Sequence, residues 1–149
     1  MNIEFSTPNV DELKFILDSW SSSYRKSKYA GTVPNNHWEE IARATATQLM
    51  SRSRCRTIVA LAPPINFVEG KEERGRIMGY SIAEPGILHW IYTKKDFRRL
   101  GIATQMLAEQ MSQWDARDKK YPRFTHKTDS SYRFLPRWWK WDPIPARVK

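Results

Sequence analysis

Cysteine is nearly absent from the sequence, because Cys55 is the one cysteine among 149 residues. No internal disulfide can therefore form, and the composition fits a reducing compartment. Cys55 begins the apolar run from Cys55 to Ala62. This position favours a packing role, since a free cysteine behaves as a small hydrophobic residue. A nucleophilic cysteine is the alternative.

Long apolar runs are also missing. No stretch approaches the roughly 20 apolar residues that a membrane helix needs. The N-terminus Met1-Asn2-Ile3-Glu4-Phe5 lacks the basic and apolar regions of a signal peptide. With 40% hydrophobic and 13% aromatic residues, we expect one globular domain over residues 1–149, in the cytoplasm and with no membrane partner.

Acidic residues are outnumbered, with 16 Asp and Glu against 25 Lys and Arg and a net charge of +9. Most of the excess lies at the end of the chain. From Lys119 onward, nine basic residues face only Asp129 and Asp142. Such a region suits a polyanion, either a phosphate-bearing cofactor or nucleic acid. The alternative is a basic surface that only keeps the protein in solution.

The first third of the chain shows one strand pattern and two helix patterns. Ile3 and Phe5 alternate with polar residues, which predicts a short strand. Asn9 and Glu12 have the spacing of a capping box. Apolar residues then recur at helical spacing in two stripes. The stripes are Val10, Leu13, Ile16, Leu17, Trp20 and Tyr24, then, after caps at Pro34-Asn35-Asn36, Trp38, Ile41, Ala42, Thr45 and Leu49.

Three strand-like runs follow, at residues 57–62, 77–83 and 87–93. The turn Glu84-Pro85-Gly86 predicts that the last two form an antiparallel hairpin. A long helix is expected from Gly101 or Ile102, with Arg117, Lys119 and Lys120 at its C-terminal end.

Residues 124–128 suggest one more strand, before a tail of weak pattern from Asp129 to Lys149. The order β-α-α-β-β-β-α-β plus tail indicates an α/β or α+β fold.

The link between the last hairpin strand and the long helix carries the most specific signal. Arg98-Arg99-Leu100-Gly101-Ile102-Ala103 lies where a helix begins. Unpaired amides and the helix dipole attract phosphate there, and Gly101 permits close approach. Lys94 and Lys95 bring the local cations to four. The spacing is neither a Walker A nor a dinucleotide-binding motif.

Arg98-x-x-Gly101-x-Ala103 after an apolar strand resembles the Arg/Gln-x-x-Gly-x-Gly/Ala signature of the GCN5-related N-acetyltransferases. The element order over roughly residues 1–130 is similar as well. The resemblance implies a mixed, mostly antiparallel central sheet flanked by helices. It also implies acetyl-CoA as cofactor and acyl transfer to an amine. Because the one cysteine shows no Cys/His pairing in the sequence, we expect direct transfer rather than an acyl-enzyme. We expect no metal.

The resemblance assigns the cofactor contacts by position. The main chain of Ile91 and Thr93 would bind the pantetheine arm. A bulge of this family would splay that strand from the next, leaving a slot for the thioester. The loop and helix start would take the pyrophosphate, through Arg98, Arg99, Gly101, Ile102, Ala103 and Thr104.

Acid and base groups are harder to place. His89 resembles the catalytic histidine of arylalkylamine acetyltransferases and shares by period two the face of Ile91 and Thr93. An imidazole ordinarily titrates near neutral pH, which suits a general base. A merely packed histidine is the alternative. Tyr132 corresponds to the tyrosine that serves this family as general acid. His126 and Glu84 are weaker candidates, and Glu84 has an alternative role in shaping the turn.

The tail departs from the family. The expected Asn and the closing Tyr-x-x-x-Gly-Phe are missing, and Arg137-Trp138-Trp139-Lys140-Trp141 stands instead. These tryptophans either stack on bases or close the core, and we expect core for most of them. The short chain, unusual tail and basic surface are similar to small bacteriophage acetyltransferase-like proteins, which would act in the host cytoplasm. A second hypothesis is therefore a binding or nucleic-acid-modifying protein whose acetyl transfer is altered or lost. The acceptor and the oligomeric state stay open.

Overall fold

The computed structural model describes residues 2–25, 35–63, 74–126, 135–143 and 145. Within these ranges six strands form one sheet in sequence order: β1 (Glu4–Ser6), β2 (Arg56–Leu61), β3 (Ile77–Glu84), β4 (Ile87–Thr93), β5 (Arg123–Phe124) and β6 (Lys140–Trp141). Neighbours from β1 to β4 are antiparallel, and β4, β5 and β6 run parallel. The helices are α1 (Val10–Arg25), α2 (Asn35–Ser51), α3 (Ile102–Met111) and α4 (Ala116–Lys120), with a 3-10 turn at Lys95–Phe97. The mixed, mostly antiparallel sheet predicted from the sequence is confirmed.

The helices cover both faces of the sheet. Alternating residues of β2 separate the two sides, because successive strand side chains point to opposite faces. Val59 and Leu61 pack with Ile16 of α1 and Leu49 of α2. Ile58 and Ala60 pack with Ile102 and Met106 of α3. None of the helices among the described residues is long and apolar enough to cross a bilayer.

The capping box of α1 is present. The Glu12 amide donates to Asn9 Oδ1 at 2.9 Å, and the Asn9 amide donates to Glu12 Oε1 at 3.0 Å. The buried stripe differs from the predicted one, because Val10 and Leu13 are exposed and so is Ile41 of α2. Contact with the sheet selects Ile16, Trp20, Ala42, Ala46 and Leu49 instead.

The single long helix predicted after Gly101 is wrong. The chain turns at residues 112–114, and Asp115 begins a second helix by accepting the Asp118 amide at 2.9 Å. The turn puts Trp114 into a buried cluster with Leu107 and Trp139. Arg117, Lys119 and Lys120 therefore lie on α4 rather than at the end of α3.

The tail adds β6 at the edge of the sheet. Strand β5 begins one residue before the predicted 124–128 and, among the described residues, overlaps it only at Phe124. Trp139 is buried, whereas Trp138 and Trp141 are exposed. The expectation that most tail tryptophans fill the core is thus wrong for these two. Elsewhere, Trp20, Trp90 and Trp114 are buried as predicted. The side chains of Trp38 and Tyr24 lie outside the description, as does residue Tyr132.

Candidate functional site

A cavity of about 490 Å³ opens between the second half of β4 and the start of α3. The structure brings together all eight residues that the resemblance assigned to the cofactor, and each of them lines this cavity. They are Ile91, Thr93, Arg98, Arg99, Gly101, Ile102, Ala103 and Thr104. Tyr92 and Phe97 line it as well. The sequence analysis missed these two, although Phe97 is the apolar residue directly before the motif.

The N-terminus of α3 faces this cavity without a side-chain cap. Its N-cap is Gly101, at φ 77°, and no side chain in the described part of the chain bonds the cap. Arg99 has a φ of 65°, so two left-handed residues turn the loop into the helix. A Cβ built on Gly101 would meet only Gln105 Nε2, at 4.0 Å. The first-turn amides thus face open space, which is the arrangement that binds phosphate groups.

Two cations, rather than the expected four, line the cavity. Arg98 Nε donates to the carbonyl of Thr93 at 2.9 Å, and its guanidinium carbon lies 5.8 Å from the ring centre of Tyr92. Lys94 turns away, with Nζ 4.7 Å from the ring centre of Phe15. Arg98 and Arg99 remain to supply positive charge at the mouth.

The second half of β4 has an open edge on the side away from β3. The Lys94 amide donates to the carbonyl of Met78 on β3 at 2.8 Å. Because strand peptide groups alternate in direction, those of Ile91 and Thr93 point the other way. Among the described residues, β5 pairs with β4 only at Ile87 and Leu88. Thr93 Oγ1 is buried, with no hydrogen-bond partner among the described residues. The Thr93 carbonyl already accepts from Arg98 Nε. The edge therefore presents the amide and carbonyl of Ile91 and the amide of Thr93 to a bound molecule.

His89 lies in a β-bulge, where the open edge begins. Trp90 is opposite Ile82 and Leu88 is opposite Ala83, so His89 is the extra residue of β4. A bulge bends its strand and disrupts regular alternation. The period-two argument that placed His89 on the face of Ile91 and Thr93 therefore fails at this point.

Both ring nitrogens of His89 are engaged. Nε2 lies 2.5 Å from Glu84 Oε2, and Nδ1 lies 3.0 Å from Thr125 Oγ1. Burial lowers the pKa of His89, and the opposing contact with Glu84 does not restore it. Burial raises the pKa of Glu84, but hydrogen bonds from His89 and Arg52 outweigh it and leave this pKa below its ordinary value. At neutral pH a neutral histidine thus donates to an ionised carboxylate.

This assignment orients the hydrogen bonds that continue from His89. With its hydrogen on Nε2, His89 accepts the Thr125 hydroxyl at Nδ1. His126 Nδ1 lies 3.0 Å from the carbonyl of His89 and 2.9 Å from Thr125 Oγ1, so this nitrogen carries its hydrogen. Burial lowers the pKa of His126 to about 4, with the charge of His89 acting in the same direction.

The four groups Glu84, His89, Thr125 and His126, called the imidazole array below, form one continuous chain of hydrogen bonds. Its His89 side chain is fully enclosed, at 0% exposure. The other candidate, Tyr132, lies outside the described residues. Arg52 Nη1 donates to Glu84 at 3.0 Å, which links the array to the end of α2. Sequence reasoning missed Thr125 and Arg52, because no local motif marks either one.

Cys55 packs against the core cluster between α1, α2 and the sheet. Burial raises the pKa of its thiol to about 12, and the charge of Glu84 adds to this effect. A thiol so rarely ionised is a poor nucleophile at neutral pH. The packing role predicted for Cys55 fits this environment.

No family model matches the sequence, and no curated protein sequence matches it. Several solved structures, however, are similar to this chain. A provisionally assigned acetyl transferase from Pyrococcus furiosus is 16% identical, with a TM-score of 0.62 over 89% of each chain. A GCN5-related N-acetyltransferase from Rhodopseudomonas palustris is 11% identical, with a TM-score of 0.57 over 91% of this chain and 79% of the other. A ribosomal-protein-alanine N-acetyltransferase from Brucella melitensis is 14% identical, with a TM-score of 0.50 over 91% and 89%. The chain therefore has the fold of these acetyltransferases.

Proposed function

We propose that this protein is an N-acyltransferase that moves an acetyl group from acetyl-CoA directly to an amine. One observation carries the proposal. The motif, the uncapped start of α3 and the open edge of β4 converge on one cavity of about 490 Å³. These features suit the two polar parts of coenzyme A, its pyrophosphate and its peptide-like pantetheine arm.

The described residues fit such a group. The amides of Ile102, Ala103 and Thr104 would hold the pyrophosphate, with Arg98 and Arg99 neutralising its charge. The peptide groups of Ile91 and Thr93 would bind the amides of the arm as an added strand binds a sheet edge. When bound, acetyl-CoA supplies an activated thioester.

The chain's own contribution is positioning and proton transfer. Cys55 packs in the core with a raised pKa, which argues against an acyl-enzyme. An attacking ammonium must lose a proton, and the imidazole array begins at the bulge where the slot opens. The enclosed side chain of His89 would act through Thr125 and His126 rather than by touching the amine. Tyr132 stays a prediction for the acid that protonates the departing thiolate.

The finer parts of this proposal concern the acceptor and the origin of the protein. The acceptor is an amine of unspecified class. The likeness to bacteriophage proteins and a cytoplasmic location remain predictions from the sequence. A protein that keeps this fold for binding alone is the competing hypothesis, and cofactor binding separates the two.

Calorimetry with acetyl-CoA tests the proposal directly. We expect binding at tens of micromolar or tighter, weakened about tenfold by Gly101→Ala, because the added Cβ enters the space in front of the amides.

Gly86→Ala is the matched control. Gly86 has the same φ of 77° but lies in the β3–β4 turn, away from the cavity. Gly86→Ala should cost similar backbone strain, together with a tight contact of its Cβ with Asp118 Oδ1 at 3.2 Å, and leave the affinity for acetyl-CoA within twofold. Absence of binding by the unmodified protein, or an equal loss in both variants, would refute the proposed cofactor site.

A further inference from the structure

A second concave surface lies at the other end of β4, where α4, β5 and β6 meet the β3–β4 turn. Its volume is about 350 Å³. We call it the basic groove, and six of its lining residues carry the argument: Arg117, Lys120, Tyr121, Arg123, Trp138 and Lys140. None of its lining residues belongs to the cofactor cavity.

We propose that the basic groove binds single-stranded nucleic acid, as an activity separate from the proposed acyl transfer. The groove combines the two features that such binding requires. Cations follow the phosphate backbone, and aromatic faces stack on the bases.

Positive charge dominates the groove. Arg117, Lys120, Arg123 and Lys140 line it, and Asp118 is the one acidic residue among its lining residues. Arg123 also pairs with Asp142 at 2.9 Å, but these side chains are 42% and 27% exposed. A partly exposed pair of this kind is weak, so a phosphate can compete for the guanidinium. The charge is therefore complementary to a polyanion.

Two aromatic side chains of the groove are largely exposed, and Lys120 Nζ lies 5.5 Å from the ring centre of one of them, Tyr121. Tyr121 is 65% exposed and Trp138 is 57% exposed. The Trp138 ring lies 6.3 Å from that of Trp139, which is buried and lies 6.2 Å from Trp114. Trp138 is thus an exposed ring that is held in place by contact with the buried ring of Trp139. Such a ring offers a stacking surface at low cost in side-chain entropy.

The position of these rings favours a single strand over a duplex. They line a concave surface, so a base must enter the groove to stack on them. Bases inside a duplex already stack on each other and cannot do so without unpairing. Stacking also tolerates any base, which predicts little sequence preference.

Fluorescence anisotropy with labelled 12-mers of deoxythymidine and of uridine tests the proposal on the full chain. We expect both to bind at low salt and to weaken steeply as salt rises. A 12-base-pair duplex should bind at least tenfold more weakly, and inorganic polyphosphate should compete poorly. Equal binding of the duplex, or equal competition by polyphosphate, would reduce the groove to a charged patch and overturn the proposal.

Variants separate stacking from charge. Trp138→Ala should weaken binding on the order of tenfold, and Trp138→Phe should restore most of it. Lys120→Ala should lower the slope of log affinity against log salt by about 0.7. Lys14→Ala, the same charge change at an exposed position of α1, is the matched control and should leave both quantities unchanged. Unchanged binding by Trp138→Ala would refute stacking.

Saturating acetyl-CoA should leave the oligonucleotide affinity within twofold, since the two sites share no lining residue. Displacement of the oligonucleotide by acetyl-CoA would place it in the cofactor cavity and overturn the groove assignment. Because oligonucleotide binding is measured without acetyl-CoA, failure of the proposed transferase activity leaves this test intact.

Discussion

The imidazole of His89 is enclosed on every side, yet the group is polar and titratable. Burial of this polar ring costs little free energy, because Glu84 and Thr125 form hydrogen bonds with both of its nitrogens. Removing the ring would leave a carboxylate and a hydroxyl without these partners. The residue is therefore both a structural connection and, under the proposed function, the start of a path for protons.

Substitution of His89 tests that path. We expect His89→Ala to lower kcat at least tenfold and to leave the affinity for acetyl-CoA nearly unchanged, because His89 does not line the cofactor cavity. Steady-state kinetics with a thiol-release assay, once an acceptor amine is in hand, measures kcat, and calorimetry measures the affinity.

Thr125→Val is the gentler companion variant, since it keeps the side-chain shape and removes only the hydroxyl between the two histidines. Like His89→Ala, it should lower kcat, and it should also shift the pH profile of the rate. Unchanged turnover in both variants would remove the imidazole array from the mechanism.

His126 makes the stability of the protein depend on pH. Its pKa falls from an ordinary 6.5 to about 4 in the folded state. Between these values the unfolded chain binds more protons, so stability is lost as pH falls from about 6.5 toward about 4. We expect the free energy of unfolding, measured with urea, to drop by about 2 kcal/mol between pH 7 and pH 5 through this residue alone.

His126→Asn isolates that contribution. Its amide can keep a donor toward the carbonyl of His89 but does not titrate. Burial lowers the pKa of His89 in both proteins, so the variant should keep part of the loss. A variant with the same loss between pH 7 and pH 5 as the unmodified protein would contradict the prediction.

At the scale of elements, the start of α1 is tied to the strand that begins much later in the chain. Glu12 completes the capping box with Asn9 and also accepts two hydrogen bonds from Arg74, both of 2.7 Å. Arg74 in turn donates to the carbonyl of Thr7. The Glu12 carboxylate therefore caps the start of α1 and also holds Arg74, which lies three residues before β3 begins.

Substitutions at the start of α1 should lower the free energy of unfolding by different amounts. Asn9→Ala removes the cap alone and should cost about 1 kcal/mol. Glu12→Ala removes the box and the Arg74 pair and should cost more, about 2 kcal/mol. Asp11→Ala is the control, because this neighbouring acid of the first turn is exposed and should cost well below 1 kcal/mol. Urea unfolding measures all three, and an equal cost for Glu12 and Asp11 would contradict the role of Glu12.

Element types were largely predictable from local pattern, and the departures have physical causes. The hairpin of β3 and β4 follows from two apolar runs joined by Pro85 and Gly86. The break between α3 and α4 did not follow, because burial of Trp114 beside Trp139 decides it and those residues are distant in sequence. The exposed Val10 and Ile41 likewise fit a helical period, but they are not among the residues of α1 and α2 that pack in the core cluster.

At the scale of the whole molecule, the two halves of the candidate site differ in how far sequence predicts them. The cofactor residues come from one stretch between Ile91 and Thr104, so a motif and its flanking strand suffice to find them. The imidazole array joins residues 36 positions apart, His89 and Thr125. The parallel pairing of β5 with β4 brings these two residues together, and no local sequence pattern predicts that pairing.

Only the folded molecule shows where the positive charge lies on the surface. The net charge of +9 is a bulk property. The fold divides part of it between the two arginines of the cofactor cavity and the four cations of the basic groove. Two separate surfaces lined by cations thus replace the single basic region that composition suggested.

The bulge at His89 has a consequence for how this protein can change over generations. The bulge consists of one extra amino acid in β4, so it corresponds to a single codon in the gene. In-frame loss of that codon would restore regular pairing with β3, whereas most base changes at that codon would leave the main-chain bulge in place. Alignments of distant relatives should therefore be judged by a gap at this position rather than by identity of the residue that fills it.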